Sequence, residues 1–497
     1  MKFLVQIKIY KVKLFNYIKL IKLIQIFINI YKLFKINIKK KKIKMAKEPY
    51  INLNIESNFK TISFFQKSLK NVKKYNKKNN FILFSIIFIA LPKLLLSSFF
   101  IEIKVNKEGI HQILSDEYKL SRNELKISGT SSSLNTKFYN FNSKDTVLKL
   151  EWITRFSNFS YMFNNLKNIT YIKINDISGR PINLSNMFRN CINLETFIFE
   201  SSDKKDHNIG NMENMFYNCY SLKSFSFNNF NLSYYRYEEI IEQNGNTSTI
   251  IPYYYYYNIS MSYMFFNCTN LETIENTYNI RYISNMSFMF YDCASLKIIY
   301  LANFIKEVGK NIDLSYMFYN CKKLETITFR SSYFDLSDMK YMFYNCSKLK
   351  QINNINYFRS SNNLNMSYLF YNCQNLESIS ISNAHFKITD TREMFYNCSK
   401  LTTLTFYPYS TKTSINMSRM FYNCNKLKSI TINNGYSYIY PNDISSMFYN
   451  CRSLVTLTMN KFDPIKIKIE QMSYLFYNCT WIVNLNIFLS INFTNEI

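Results

Sequence analysis

From residue 162 to residue 479 the apolar positions recur as one group. Met or Leu is followed by Phe, Cys stands three residues after the Phe, and apolar residues stand three, six and eight places after the Cys. Met317, Phe318, Cys321, Leu324, Ile327 and Phe329 are one copy of twelve. Phe fills the second place of the pair in every copy, and all eleven cysteines fill the third place, where the first copy carries Leu166. Met, Phe and Cys at i, i+1 and i+4 share one side of a helical turn. Ser two places before the Met, as at Ser160, Ser262, Ser367 and Ser473, predicts a cap for that turn. Asn before the Cys, or Asp292 in one copy, predicts the backbone that leaves it. The apolar places at Cys+6 and Cys+8 have the period of a strand with one face buried.

Repeats of this length stack as a single solenoid. Successive cysteines are 25 to 28 residues apart, except for a step of 49 from Cys219 to Cys268. The surplus, at about 231–257 and including Tyr253 to Tyr257, reads as a loop on one side of the stack. The expected fold is an α/β-type repeat solenoid, a right-handed superhelix with short helical turns and one continuous parallel sheet. It covers residues 151–497 and is preceded by one transmembrane helix. Trp152 and Leu166 mark an atypical first copy that closes one end, and Trp481 is the corresponding candidate at the other.

The formal charge of +28 changes the picture only in its distribution. Residues 1–107 hold 24 Lys and 3 Glu, a balance of +21, so the remainder carries 28 − 21 = +7. A phosphate-gripping solenoid would carry a basic stripe, so nucleic acid is not the expected partner. Residues 1–80 read as a basic cytoplasmic segment. Within it, 1–44 is either an amphipathic stretch lying on an anionic membrane or untranslated sequence ahead of a start at Met45. Phe81 to Ile101, behind Lys67, Lys70, Lys73, Lys74, Lys77 and Lys78, has the length and flank of a transmembrane signal anchor. A cleaved internal signal and a buried helix are the alternatives, since Pro92 and Lys93 interrupt the span. Residues 102–150 read as a stalk and N-terminal cap. The expected location is the cell membrane, single-pass, with the repeats extracellular.

The recurring MFYNCxxLxxIxI pattern, with a step near 25 residues, resembles the BspA-like leucine-rich-repeat surface proteins. That resemblance implies a leucine-rich-repeat-like solenoid and a surface protein engaged in adhesion. It implies no enzyme. The alternative is an intracellular repeat scaffold for protein–protein interaction.

Sites for chemistry are scarce. The seven glycines form no GxG, and no CxxC pair occurs. His111, His207 and His385 stand alone and read as surface or loop residues. No catalytic, cofactor-binding or metal site is expected, nor a small-molecule substrate. The cysteine row reads as buried free thiols that pack as small hydrophobes. The outward place between Cys+6 and Cys+8 is the candidate binding row: Ser226, Thr328, Ser380, Thr405, Thr431 and Thr458, with Lys173, Ile198, Glu275, Ile298, Asn353 and Asn486 in the other copies. Its expected partner is a protein or glycan on another cell or matrix, while residues 81–101 meet the membrane.

Overall fold

The computed structural model describes residues 100–487, apart from connecting stretches such as 176–181, 201–208 and 302–311, and describes residues 235–244 and 247–256 by backbone alone. The chain is a parallel β-solenoid. Each coil consists of a short strand, a segment of tight turns carrying the Met-Phe-Cys group, and a second strand. The first strands stack into one ten-stranded sheet, from Ile182–Asn183 to Tyr440–Asp443.

The strands after the cysteines do not form the one continuous sheet expected. They fall into three five-stranded sheets, the first shared with an N-terminal cap. The second runs from Ser224–Ser226 to Gln351–Asn353, and the third from Ser378–Ile381 to Asn484–Ile487. The break after Asn353 coincides with Asn354, whose φ of 66° turns the backbone out of the strand.

The predicted helical turns are absent, and no α-helix occurs among the described residues. Two residues per turn segment explain why. The residue two before the Phe and the residue two after it both have left-handed backbones, at φ 58° for Tyr316 and 63° for Asn320. The amides then alternate in their partners. Met317, Tyr319 and Cys321 donate three residues back, to Leu314, Tyr316 and Phe318, at 3.1–3.2 Å. Tyr316, Phe318 and Asn320 donate to the next coil, to the carbonyls of Lys340, Met342 and Tyr344, at 2.7–3.0 Å. An α-helix would send every amide four residues back. Here every second amide binds neighbouring coils together instead. A left-handed residue costs about 1–2 kcal/mol, and Asn, whose short polar side chain bonds locally, is tolerated there. That accounts for the Asn before ten of the eleven cysteines and for Asp292 before Cys293.

The Ser expected to cap the turn is not the cap. The residue two places earlier, Asn or Asp, accepts the amide of the Ser position through Oδ1: Asn183 from Ser185 at 3.0 Å, Asp313 from Ser315 at 2.8 Å, Asn365 from Ser367 at 2.9 Å. Asp338 does the same for Lys340 at 2.8 Å, so the motif does not need the hydroxyl.

The predicted membrane span is overturned at its end. Phe100 and Ile101 belong to the strand Phe100–Val105, in which Ile101, Ile103 and Val105 are buried alternately. That strand pairs antiparallel with Leu148–Trp152 on one side and Ile169–Asn175 on the other, covering the open edge of the first coil. No helix among the described residues is long and apolar enough to cross a membrane, and residues 81–99 lie outside them. The membrane contact through 81–101 and the single-pass placement with extracellular repeats lose the intact span on which they rested.

The surplus in the long step is a hairpin rather than a loop. Tyr235–Asn244 pairs antiparallel with Thr247–Tyr256, from Tyr235 opposite Tyr256 to Asn244 opposite Thr247. At the far end Trp481 is 67% exposed and closes nothing.

The core is a column of phenylalanines. Phe163, Phe188, Phe216, Phe265, Phe290, Phe318, Phe343, Phe370, Phe395, Phe421, Phe448 and Phe476 stack coil upon coil with centroids 5.2–5.6 Å apart. Phe370 is wholly buried between Phe343 and Phe395. Phe370→Ala is expected to cost about 3–5 kcal/mol in denaturant unfolding. A loss below about 1 kcal/mol would show that coil repacking fills the void.

Candidate ligand-binding faces of the solenoid

The predicted hydroxyl row is brought together in register, in two groups. Ser380, Thr405, Thr431, Thr458 and Asn486 lie opposite one another on five consecutive parallel strands. In the other group Ser226 lies opposite Glu275, and Thr328 lies between Tyr300 and Asn353, whose amide donates to the Thr328 hydroxyl at 2.9 Å. Lys173 and Ile198 lie opposite each other in the cap sheet. Ile298 is misplaced in the row. It pairs with Thr273 and Thr326, one outward place earlier, and Tyr300 occupies the position instead. Both side chains lie on the outer face of the sheet, 48% and 59% exposed.

Beside this row runs a charge column that the sequence reading missed. At Cys+4 stand Glu195, Lys223, Glu272, Lys297, Glu325, Lys350 and Glu377, alternating in sign from coil to coil. Lys223 meets Glu195 at 3.3 Å, Lys297 meets Glu272 at 3.7 Å and Lys350 meets Glu325 at 2.9 Å. The Lys350 ammonium, hydrogen-bonded to Glu325, holds that carboxyl below its ordinary range. Exposed pairs of this kind add little stability. Their alternation opposes slippage of one coil against the next.

A larger feature lies on the turn segment. The residues after ten of the twelve Phe stack as a column: Tyr217, Phe266, Tyr291, Tyr319, Tyr344, Tyr371, Tyr396, Tyr422, Tyr449 and Tyr477, with centroids 4.4–4.8 Å apart. A second column, of the residues two before the Phe, joins Tyr263, Phe288, Tyr316, Tyr341 and Tyr368 at 4.5–4.7 Å. The signal was in the sequence, as the Y of MFYNC, but its period places it on neither face of a helix or strand. Ring faces cover one another and leave edges outward. Desolvation pushes the phenols of Tyr291, Tyr319, Tyr341, Tyr344 and Tyr368 up, and that of Tyr371 to about 12.

The family model described as BspA type leucine rich repeat region matches residues 135–260, 185–312, 258–390 and 363–496. This chain belongs to that family. Among solved structures it is similar to TLR13 in a complex with ssRNA13 (15% identity, 57% of this chain and 43% of that one, TM-score 0.26). It is also similar to a Drosophila Toll–Spatzle complex (14%, 61% and 41%, 0.25) and to an internalin of Listeria monocytogenes (18%, 64% and 81%, 0.20). The chain thus spans less than half the length of the first two. No curated protein matches it.

In this BspA-type chain the cysteines have a structural role. Every cysteine is a free thiol whose Sγ donates to the Phe carbonyl of the coil before it, as Cys191 does to Phe163 at 3.0 Å and Cys346 to Phe318 at 3.1 Å. The first BspA-type coil has no earlier Phe carbonyl to reach, which accounts for Leu166. Burial pushes the Cys191 thiol up to about 12, and those of Cys219 to Cys451 also rise. Cys479 alone is only partly buried. No group of side chains able to hold a metal ion occurs among the described residues. His111 is buried rather than at the surface, with Nε2 3.0 Å from the Lys107 carbonyl and Nδ1 3.0 Å from the Asn168 amide. His207 and His385 lie outside the described residues.

Two measurements check this arrangement. A thiol-specific alkylating reagent is expected to label the native protein at Cys479 alone and at all eleven cysteines only after unfolding. Early labelling of Cys346 would contradict the buried ladder. The phenol shifts set the sign of an alkaline transition. A folded pKa raised above the ordinary 10.0 gives stability that is complete below that pH and lost as pH climbs towards about 12. The tyrosinate absorbance of the stacked rings is therefore expected to form a late phase that rises together with unfolding, and a titration that finishes non-cooperatively around the ordinary value would contradict it.

Proposed function

We propose that this leucine-rich-repeat protein is a non-catalytic binding protein whose partner, a protein or glycan, lies along the outward face of the strands that follow the cysteines. One observation carries the reading: Ser380, Thr405, Thr431 and Thr458 stand in register on four adjacent strands with Asn486 continuing the row. Repeats that contact only their neighbours present extended surfaces suited to many small contacts. Short hydroxyl side chains both donate and accept, and ordering them costs little rotamer entropy. Such a row fits the polar edge of a glycan or protein, and a small molecule would want an enclosing pocket instead. Adhesion to a cell or matrix surface is the use that this geometry serves.

The test replaces Ser380, Thr405, Thr431 and Thr458 together by Lys and measures attachment of wild type and variant to arrays of glycans and matrix proteins. Circular dichroism is expected to show a folded chain, with thermal unfolding lowered by repulsion among the stacked lysines, while attachment falls at least tenfold. A folded variant that attaches as wild type does would remove the row from consideration and turn attention to the hairpin that ends in Tyr253 to Tyr256.

A further inference from the structure

The ten rings of Tyr263, Phe266, Phe288, Tyr291, Tyr316, Tyr319, Tyr341, Tyr344, Tyr368 and Tyr371 form a patch two columns wide across five coils. All ten are partly exposed. The two columns contain no acidic or basic side chain over this length, in a chain with 61 Lys and Arg and 33 Asp and Glu. Beyond the patch the second column changes character, to Asn214 on one side and to Glu393 and Arg419, paired at 3.5 Å, on the other. Aromatic ring edges gathered over five coils without a charged side chain in either column form a surface suited to an interaction.

The spacing of the rings selects the occupant. Successive rings within a column are 4.5–4.7 Å apart. An extended peptide advances about 3.3 Å per residue, so laid along the columns it slips by roughly 1.3 Å at each ring and is out of step within four. A polyproline helix at about 3.1 Å per residue slips faster. A second parallel solenoid has this same rise, because both are set by the hydrogen-bonding distance between strands. The patch is also chemically self-complementary. Phenols of neighbouring coils hydrogen-bond in pairs, Tyr291 with Tyr319, Tyr341 with Tyr368 and Tyr344 with Tyr371, so each pair keeps one donor and open lone pairs at the ring edge, and the rings are already held by stacking, so association orders little.

We infer that this patch is a homodimer interface, in which the tyrosine columns of two copies of the chain meet about a two-fold axis, ring edge against ring edge. An isologous contact needs the same self-complementary surface on both partners, and the patch supplies it. The interface uses the turn segments and leaves the hydroxyl row free, so a dimer presents that row twice and gains avidity for a multivalent partner.

The experiment is sedimentation velocity on the purified full chain over a range of concentrations. The wild type is expected to sediment as a dimer, and the Tyr319→Lys/Tyr344→Lys variant as a folded monomer by circular dichroism. The Tyr319→Glu/Tyr344→Glu variant is expected to be monomeric as well, and a mixture of the two variants to recover the dimer. Tyr319→Phe/Tyr344→Phe, which keeps the stack, is expected to remain dimeric and controls for folding. A wild type that is monomeric at every concentration overturns the inference. So does a dimer that survives in the Lys variant, and so do folded Lys and Glu variants that stay monomeric when mixed. The readout is mass, so failure here leaves the attachment assay of the hydroxyl row unaffected.

Discussion

The structure depends on the hydrogen bonds between coils within the turn segment. Because one amide in two is directed to the next coil, as from Phe318 to Met342 at 2.8 Å, the turns are joined as firmly as the strands on either side. The whole coil then advances by one hydrogen-bond step, and each side chain comes to lie on its own equivalent. A repeat locked in this way must choose residues that tolerate self-stacking. Phe does so by ring stacking inside, Tyr by ring stacking at the surface, and Asn by amide-to-amide bonds such as Asn345 to Asn320 at 2.6 Å and Asn190 to Asn165 at 2.8 Å. Charges cannot repeat without repulsion, and the Glu/Lys column alternates accordingly.

The same constraint explains the cysteines better than packing alone. The Phe carbonyl accepts the amide of its own cysteine, as Phe318 accepts Cys321 at 3.2 Å, and the thiol of the next coil, as it accepts Cys346 Sγ at 3.1 Å. A methyl group would leave the second position empty, and a larger polar group would not fit a fully buried site. Thiols aimed at carbonyls do not point at one another, so a row of closely spaced cysteines stays unbridged. The hairpin at Tyr235–Asn244 and Thr247–Tyr256 shows the other side of the rule. Its residues pair with each other, while the coils on either side stay in step, with Ser260 opposite Asn211.

Recognition inherits the spacing. A surface built from one residue type per row cannot make a shaped pocket. It presents lines, and a line is read by something extended or something with the same repeat. The hydroxyl row and the tyrosine columns are two of the lines this solenoid presents, one polar, the other aromatic and uncharged over five coils. Assigning them different occupants follows from their chemistry: short flexible donors suit a varied partner, and rigid ring edges at a fixed rise suit a second copy.

The repeat, its twelve copies, the buried Met, Phe and Cys, the left-handed Asn and the outward hydroxyls could all be read from the sequence, because each is a local consequence of side-chain type at a fixed spacing. What could not be read was which partner each backbone amide would take. Three residues at i, i+1 and i+4 satisfy a helical turn and a run of tight turns equally, and only the presence of a neighbouring coil decides for the latter. The same neighbour decided that the Tyr of MFYNC would form columns and that Phe100 and Ile101 would extend into a sheet edge, whereas the Asn183 or Asp313 cap is a bond two residues along the same coil. Spacing along the chain dictates what stacks; hydrogen bonds between coils, which exist only in the assembled solenoid, dictate the backbone that does the stacking.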